Sequence, residues 1–188
     1  MIAVVLLVAV AVVVIWFIAG YNRLVGLRNQ VQNGWRQIDV QLKRRHDLIP
    51  NLVNAVRGSM DFEQDTLKSV MDARARASNA VGPADAARKE GELSSALGRL
   101  IAVAENYPVL KSNDNVKMLQ EELSATENKI GFARQFYNDI ATKFNISRET
   151  FPTNLFANMF GFSPAELFQI QDAADRQVPT VDLSMSKS

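Results

Sequence analysis

Residues 1–21, MIAVVLLVAVAVVVIWFIAGY, carry no charged and no strongly polar side chain, and Arg23 follows almost at once. A helix rises ~1.5 Å per residue, so roughly 20 apolar residues span about 30 Å, the hydrocarbon thickness of a bilayer. The run reads as a transmembrane anchor. A cleaved secretory signal has a basic start, a shorter apolar stretch and a small-residue cleavage site. Here no basic residue precedes the run, and a long helical pattern continues past Ile18-Ala19-Gly20. A buried core helix rarely runs this far without a polar residue. An interfacial helix needs a polar face, which this run lacks.

The flanks set an expected orientation. Arg23, Arg28, Arg36, Lys43, Arg44 and Arg45 follow the run against a single early acid, Asp39. Such an excess of Lys and Arg keeps its end of a span in the cytoplasm. Trp16 and Tyr21 suit the headgroup zone at that same end. The expectation is a single-pass protein of the cell (inner) membrane, N-terminus outside and body cytoplasmic. The absence of Cys agrees with a body in a reducing compartment. Across 188 residues, 21 Lys and Arg balance 20 Asp and Glu. That leaves no global basic field for nucleic acid.

Beyond the anchor the chain reads as an all-α protein. Leu24, Leu27, Val31, Trp35, Ile38, Leu42, Ile49, Leu52 and Val56 recur at helical spacing and form one stripe. Arg45 falls on that stripe, and Pro50 predicts a kink near residues 45–49. Gly58 and Ser59 permit a turn. A second helix runs from Asp61 or Phe62 to Ala80, with Gly82-Pro83 ending it. The weakly patterned stretch 80–92 reads as a mobile loop, and a third helix follows through Leu93, Leu97, Leu100 and Ile101. Residues 112–115 offer N-cap oxygens to a fourth helix, whose repeat runs from Val116 through Leu123, Ile130 and Tyr137 to Phe144.

The fold expected is an N-terminal transmembrane helix continuing into an antiparallel four-helix bundle with two long and two shorter helices. The long pair, at ~35 residues each beyond the anchor, reaches roughly 50 Å, while the short pair reaches about 30 to 35 Å. The short pair therefore covers only the membrane-distal part, leaving a two-helix stalk. Beside that stalk, Phe151, Phe156, Phe160, Phe162 and Phe168 hold half of the chain's 10 Phe. Ser163-Pro164-Ala165-Glu166 resembles a capping box and predicts a short helix. This segment completes the stalk core, dips into the bilayer interface, or packs on a neighbouring subunit. The expected organisation is an anchor at 1–21, a bundle with stalk at 22–150, a Phe-rich segment at 151–170 and a mobile polar tail at 171–188.

Several blocks carry a family resemblance: Tyr21-Asn22-Arg23-Leu24-Val25, residues 35–53 (WRQIDVQLKRRHDLIPNLV), Tyr107-Pro108-Val109-Leu110-Lys111, Leu119-Gln120-Glu121-Glu122-Leu123, Thr126-Glu127-Asn128-Lys129-Ile130, Ala133-Arg134, Tyr137-Asn138 and Phe151-Pro152. From the anchor to about Phe168 the chain resembles the LemA family. The resemblance implies one N-terminal anchor and a helical-bundle body, and it implies no particular biochemical activity. One departure is visible: Phe62-Glu63 stands where the family pattern has a His-Glu pair.

Chemistry-bearing constellations are sparse. His46 is the single histidine and there is no cysteine, which excludes thiolate chemistry, zinc-finger ligation and di-iron Glu-x-x-His pairs. His46 and Asp47, adjacent on a helix, point about 100° apart and form no relay. The polar block Asp39, Gln41, Arg44, Arg45, His46, Asp47 and Asn51 reads as an interhelical network around the proline, partnered by Glu127, Asn128, Arg134 or Asn138, or else as a docking face. Trp35, Phe136, Phe144, Phe151, Phe156 and Phe160 are the candidate oligomer or membrane-proximal contacts.

The function expected is a membrane-anchored, self-associating scaffold, not an enzyme and without a cofactor. Its expected partners are the lipid bilayer, other copies of the chain and an unidentified membrane or cytoplasmic protein. The alternative is a metal- or ligand-binding bundle or enzyme using the acids and His46. A pore fits less well, because the anchor has no polar residue to line a water path.

Overall fold

The apolar run and the amphipathic stripe behind it form one helix. A computed structural model describes residues 1–58 and 63–169, and every regular element among them is helical. In order these are α1 (Ile2–Arg57), α2 (Gln64–Ser78), α3 (Gly82–Ala104), α4 (Pro108–Lys111), α5 (Asp114–Glu149) and α6 (Asn154–Ala157). The 56 residues of α1 reach ~84 Å at a helix's rise per residue. Its apolar run is exposed as far as Trp16, meets the bundle at its last turns through Phe17, and is long and apolar enough to cross a membrane. The expected turn at Ser59, the start of the second helix at 61–62, Phe62 and the polar tail at 171–188 lie outside the described residues.

The bundle stripe of α1 buries Leu24, Ile38, Leu42, Ile49, Leu52, Val53 and Val56. Its main partner is α5, which runs antiparallel to it. Leu24 shares a cluster with Phe144, Trp35 meets Tyr137 with ring centroids 5.9 Å apart, and Arg45 reaches Glu127 at 3.1 Å. At the far end, α2, α3 and α4 close over Ile49–Val56 and over Val116 and Leu123 of α5. The expected lopsided bundle of long and short helices is what forms. α1 also passes the expected kink at residues 45–49 without a break and runs through Pro50.

Two local expectations are corrected. Gly82-Pro83 opens α3 instead of closing α2: Gly82 has φ +80°, and Pro83 sits in the first helical turn. The stretch read as a loop is therefore helix, and it buries Ala86, Ala87 and Glu90. In place of Leu and Ile it offers Ala86 and Ala87, which pack in one cluster with Ile38, Leu42 and Phe168. Asp85 ties down the start of α3. Its carboxylate accepts from the Val81 amide at 3.0 Å, and pairs with Lys89 at 2.7 Å and Arg88 at 2.8 Å. Lys89 first, then the Val81 N–H and Arg88, hold that carboxyl well below the usual carboxylate range. At α5, Asn113 caps as expected, accepting from the amides of Asn115 and Val116.

The second correction concerns Ser163–Glu166, which forms no helix. α6 ends in a Schellman turn: Gly161, at φ +70°, donates to Asn158 O, and Phe162 N–H donates to Ala157 O at 3.0 Å. The chain then runs out of helix along α5 as a strap. Asn145 Oδ1 accepts from the Ala165 amide at 2.8 Å while its Nδ2 donates to Ala165 O at 2.9 Å. Asn138 grips Phe168 in the same two-way fashion, at 2.9 and 3.0 Å. Seven helical residues rise ~10 Å, and three extended residues cover the same ~10 Å, so the two grips are in register.

The strap carries Phe162 and Phe168 into the stalk, each 1% exposed. Phe162 meets Phe144 at 6.4 Å and Phe168 meets Trp35 at 6.2 Å. The Tyr137 hydroxyl donates to Glu166 O at 2.7 Å. Burial, with the charge of Glu166 behind it, pushes that phenol up to about 12. Of the three readings for the Phe-rich segment, packing in cis over the stalk holds for Phe156, Phe162 and Phe168.

Candidate functional site

Where α1 turns from stalk to bundle, its stripe carries Arg45 inward, and the adjacent His46 is buried with it. α3 answers with Glu90, 2% exposed, against Arg45 at 5%. Arg45 Nη1 donates to Glu90 Oε2 at 2.9 Å, and Nη2 reaches Ser94 Oγ at 2.8 Å and Glu127 Oε2 at 3.1 Å. The other Glu90 oxygen lies 2.6 Å from His46 Nε2. His46 Nδ1 lies 3.2 Å from Ser78 Oγ on α2. All four long elements thus meet at one polar knot. Taking such charges out of water is tolerable only when each is paired and hydrogen-bonded, as here.

Pro50 adds a further member. Its ring nitrogen carries no hydrogen, so the carbonyl of His46, four residues earlier, loses its helical donor. Arg74 of α2 supplies one, its Nε lying 2.6 Å from His46 O. The proline thereby turns a helix defect into a cross-link between α1 and α2.

The expected polar block divides sharply. Arg45, His46 and Glu127 belong to the knot. Asp39, Arg44, Asp47 and Asn51 are exposed on α1, Asp39 and Asp47 at the rim of the cavity beside His46. Gln41 is half-buried, and its Oε1 has no partner among the described residues. Asn138 holds the strap instead, and half-buried Arg134 and exposed Asn128 are not part of the knot. Glu90 was missed, yet it recurs with Ala86, Leu93 and Leu97 at helical spacing. A charge on that stripe is the same signal that singled out Arg45.

The aromatic candidates divide too. Phe144 and Phe156 are core, and Trp35 is half-buried against Tyr137 and Phe168. Phe144 lies beneath the strap, in one cluster with Leu24 and Phe162. Phe136, Phe151 and Phe160 remain exposed.

Chemically, the knot is built to hold. Both ring nitrogens of His46 are engaged, and the cavity of about 260 Å3 beside it is lined by Asp39, Lys43, Asp47 and Arg74 with no cysteine and no second histidine. Among the described residues, no three His, Asp or Glu side chains converge as metal ligands do.

The sequence profile of the LemA family matches residues 34–183. The chain belongs to the LemA family. The match takes in the knot, the α5 stripe and the strap. Among LemA-family relatives, protein LemA of Metamycoplasma hominis is 28% identical over 89% of this chain and 77% of its own length. Magnetosome protein MamQ 2 of Paramagnetospirillum magneticum is 29% identical over 87% of this chain and 70% of its own length. Magnetosome protein MamQ of Magnetospirillum gryphiswaldense is 25% identical over 85% of this chain and 68% of its own length.

Proposed function

We propose that this LemA-family chain is a single-pass scaffold of the cell membrane that associates with copies of itself. Residues 1–21 cross the bilayer with the N-terminus outside, and the bundle stands in the cytoplasm. The Lys/Arg excess on the bundle side of the apolar run supports this orientation.

The observation that carries self-association is one bare apolar band. α2, α3 and the strap leave Val40, Phe132 and Phe136 exposed along the α1–α5 pair. They edge a groove of about 590 Å3 that also holds Gln41, with Arg36 and Lys129 among its lining residues. A contiguous apolar band on a protein surface marks a contact site. The occupant proposed is a second copy, because anchors in one membrane hold all copies at one height with parallel axes. The same band then faces its equivalent at high effective concentration, as an isologous pair requires.

Light scattering of the full chain in mild detergent tests this. The reading expects a mass of two or more chains, falling to one chain when Phe132 and Phe136 are changed to Ser. A single-chain mass before mutation would overturn it.

A further inference from the structure

The Phe-rich turn sits at a level that constrains what surrounds it. Phe156 packs on Phe17 with ring centroids 4.7 Å apart and on Trp16 at 6.0 Å. A Cβ placed on Gly20 would lie 3.1 Å from its ring. These partners belong to the last turns of the apolar run. The apolar run ends at Tyr21 with Arg23 just beyond, so a span that uses it places Trp16–Tyr21 at the interface. Whatever touches them, α6 included, lies in the interface as well. Outward from α6 and its flanks point Phe151, Leu155, Met159 and Phe160, all exposed.

Beside this turn, α1 and α5 enclose a cavity of about 480 Å3 whose lining includes Trp16, Gly20, Arg23, Lys143, Phe151 and Pro152. Trp16 and Arg23 are two helical turns apart, ~10 Å along the axis. The cavity therefore runs from acyl-chain depth to headgroup depth, apolar at one end and cationic at the other. Neither Arg23 nor Lys143 has an ion-pair partner among the described residues.

We infer that this cavity binds one acidic phospholipid of the cytoplasmic leaflet. Arg23 and Lys143 receive the headgroup phosphate, and its chains lie against Trp16 and the exposed Phe151. The site rests on the proposed membrane crossing of α1. Its chemistry is that of a basic pocket beside a membrane helix, where two converging cations select for negative charge.

Trp16 lies in the cavity and reports on it directly. The chain has 2 Trp, so a Trp35→Phe variant of the full-length protein leaves Trp16 as its only tryptophan. It is reconstituted in phosphatidylcholine vesicles containing a minor fraction of phosphatidylglycerol or phosphatidylcholine, brominated near the glycerol end of the chains. Brominated phosphatidylglycerol quenches Trp16 more strongly than brominated phosphatidylcholine at equal fraction. Lys143→Gln weakens that preference about fivefold, the worth of one cation at an anionic surface. Arg23→Gln, a second exposed position, does the same. Equal quenching by the two lipids overturns the headgroup site. Loss of the preference on adding inorganic phosphate, but not chloride of matched ionic strength, overturns the lipid as occupant. Absence of quenching by either lipid overturns the membrane crossing itself.

Discussion

Arg74 donates to the carbonyl oxygen of His46, the acceptor that Pro50 deprives of its helical partner, across 2.6 Å. The bond joins α2 to α1 beside the buried charges, so its strength depends on a residue it does not touch. Arg74→Met should destabilise the full chain in detergent micelles by about 1 to 3 kcal/mol, the range for a charged donor lost from a half-buried carbonyl. In a Pro50→Ala background the new amide at position 50 satisfies that carbonyl, and the same change should cost clearly less. A double-mutant cycle by urea unfolding measures the difference. Equal penalties in both backgrounds would refute the coupling.

Glu90 bridges Arg45 and His46 with separate oxygens. Glu90→Ala leaves the guanidinium of Arg45 with only Ser94 and the half-exposed Glu127, and should lower stability by about 3 to 5 kcal/mol. Replacing the ion pair with apolar residues, Arg45→Met with Glu90→Leu, should recover most of that loss. Recovery would mark the knot as a specifier of helix register more than a source of stability. Thermal unfolding of the two variants decides between these outcomes.

Tyr137 titrates near 10.0 when unfolded and at about 12 when folded. The folded state therefore holds its proton longer. Its advantage is complete below the unfolded value and is lost as pH rises through the folded one. Over that window the chain should lose about 2 to 3 kcal/mol, and Tyr137→Phe should flatten the loss. Melting temperatures followed from pH 9 upward, with tyrosinate absorbance as a parallel reading, check the sign.

Asn138 and Asn145 hold the strap by two backbone bonds each. Asn145→Ala should free the Ala165 end while the bundle keeps its helicity. Hydrogen exchange at the Ala165 amide is expected to rise at least tenfold, with the amides around Leu123 unchanged. Uniform acceleration across the chain would instead mean that the strap is part of one cooperative core.

How far the fold was legible follows from where the signals lie. Leu24 to Val56 and Val116 to Phe144 announce their helices because large apolar side chains repeat along them. Residues 82–92 did not, since α3 packs there through Ala86 and Ala87, and alanine marks no face by size. Ser163-Pro164-Ala165-Glu166 has the composition of a helix start, but Asn138 and Asn145 compete for its backbone, and that competition comes from another part of the chain. Arg45 stood out at once as a charge on an apolar stripe. Its partner Glu90 carried the same mark but sat in the stretch read as loop. Pro50 and Arg74 were each visible, and only their meeting at the His46 carbonyl required the tertiary structure.

Self-association through the α1–α5 band is the central claim, and the absence of cysteine makes it directly measurable. A single cysteine introduced at exposed Lys129, on the edge of the groove, is oxidised in native membranes and the product mass read on a denaturing gel. The scaffold account predicts a disulfide-linked dimer from Lys129→Cys and none from Asp72→Cys, on exposed α2 far from the band. Monomer alone from Lys129→Cys, or equal dimer from both positions, would contradict it.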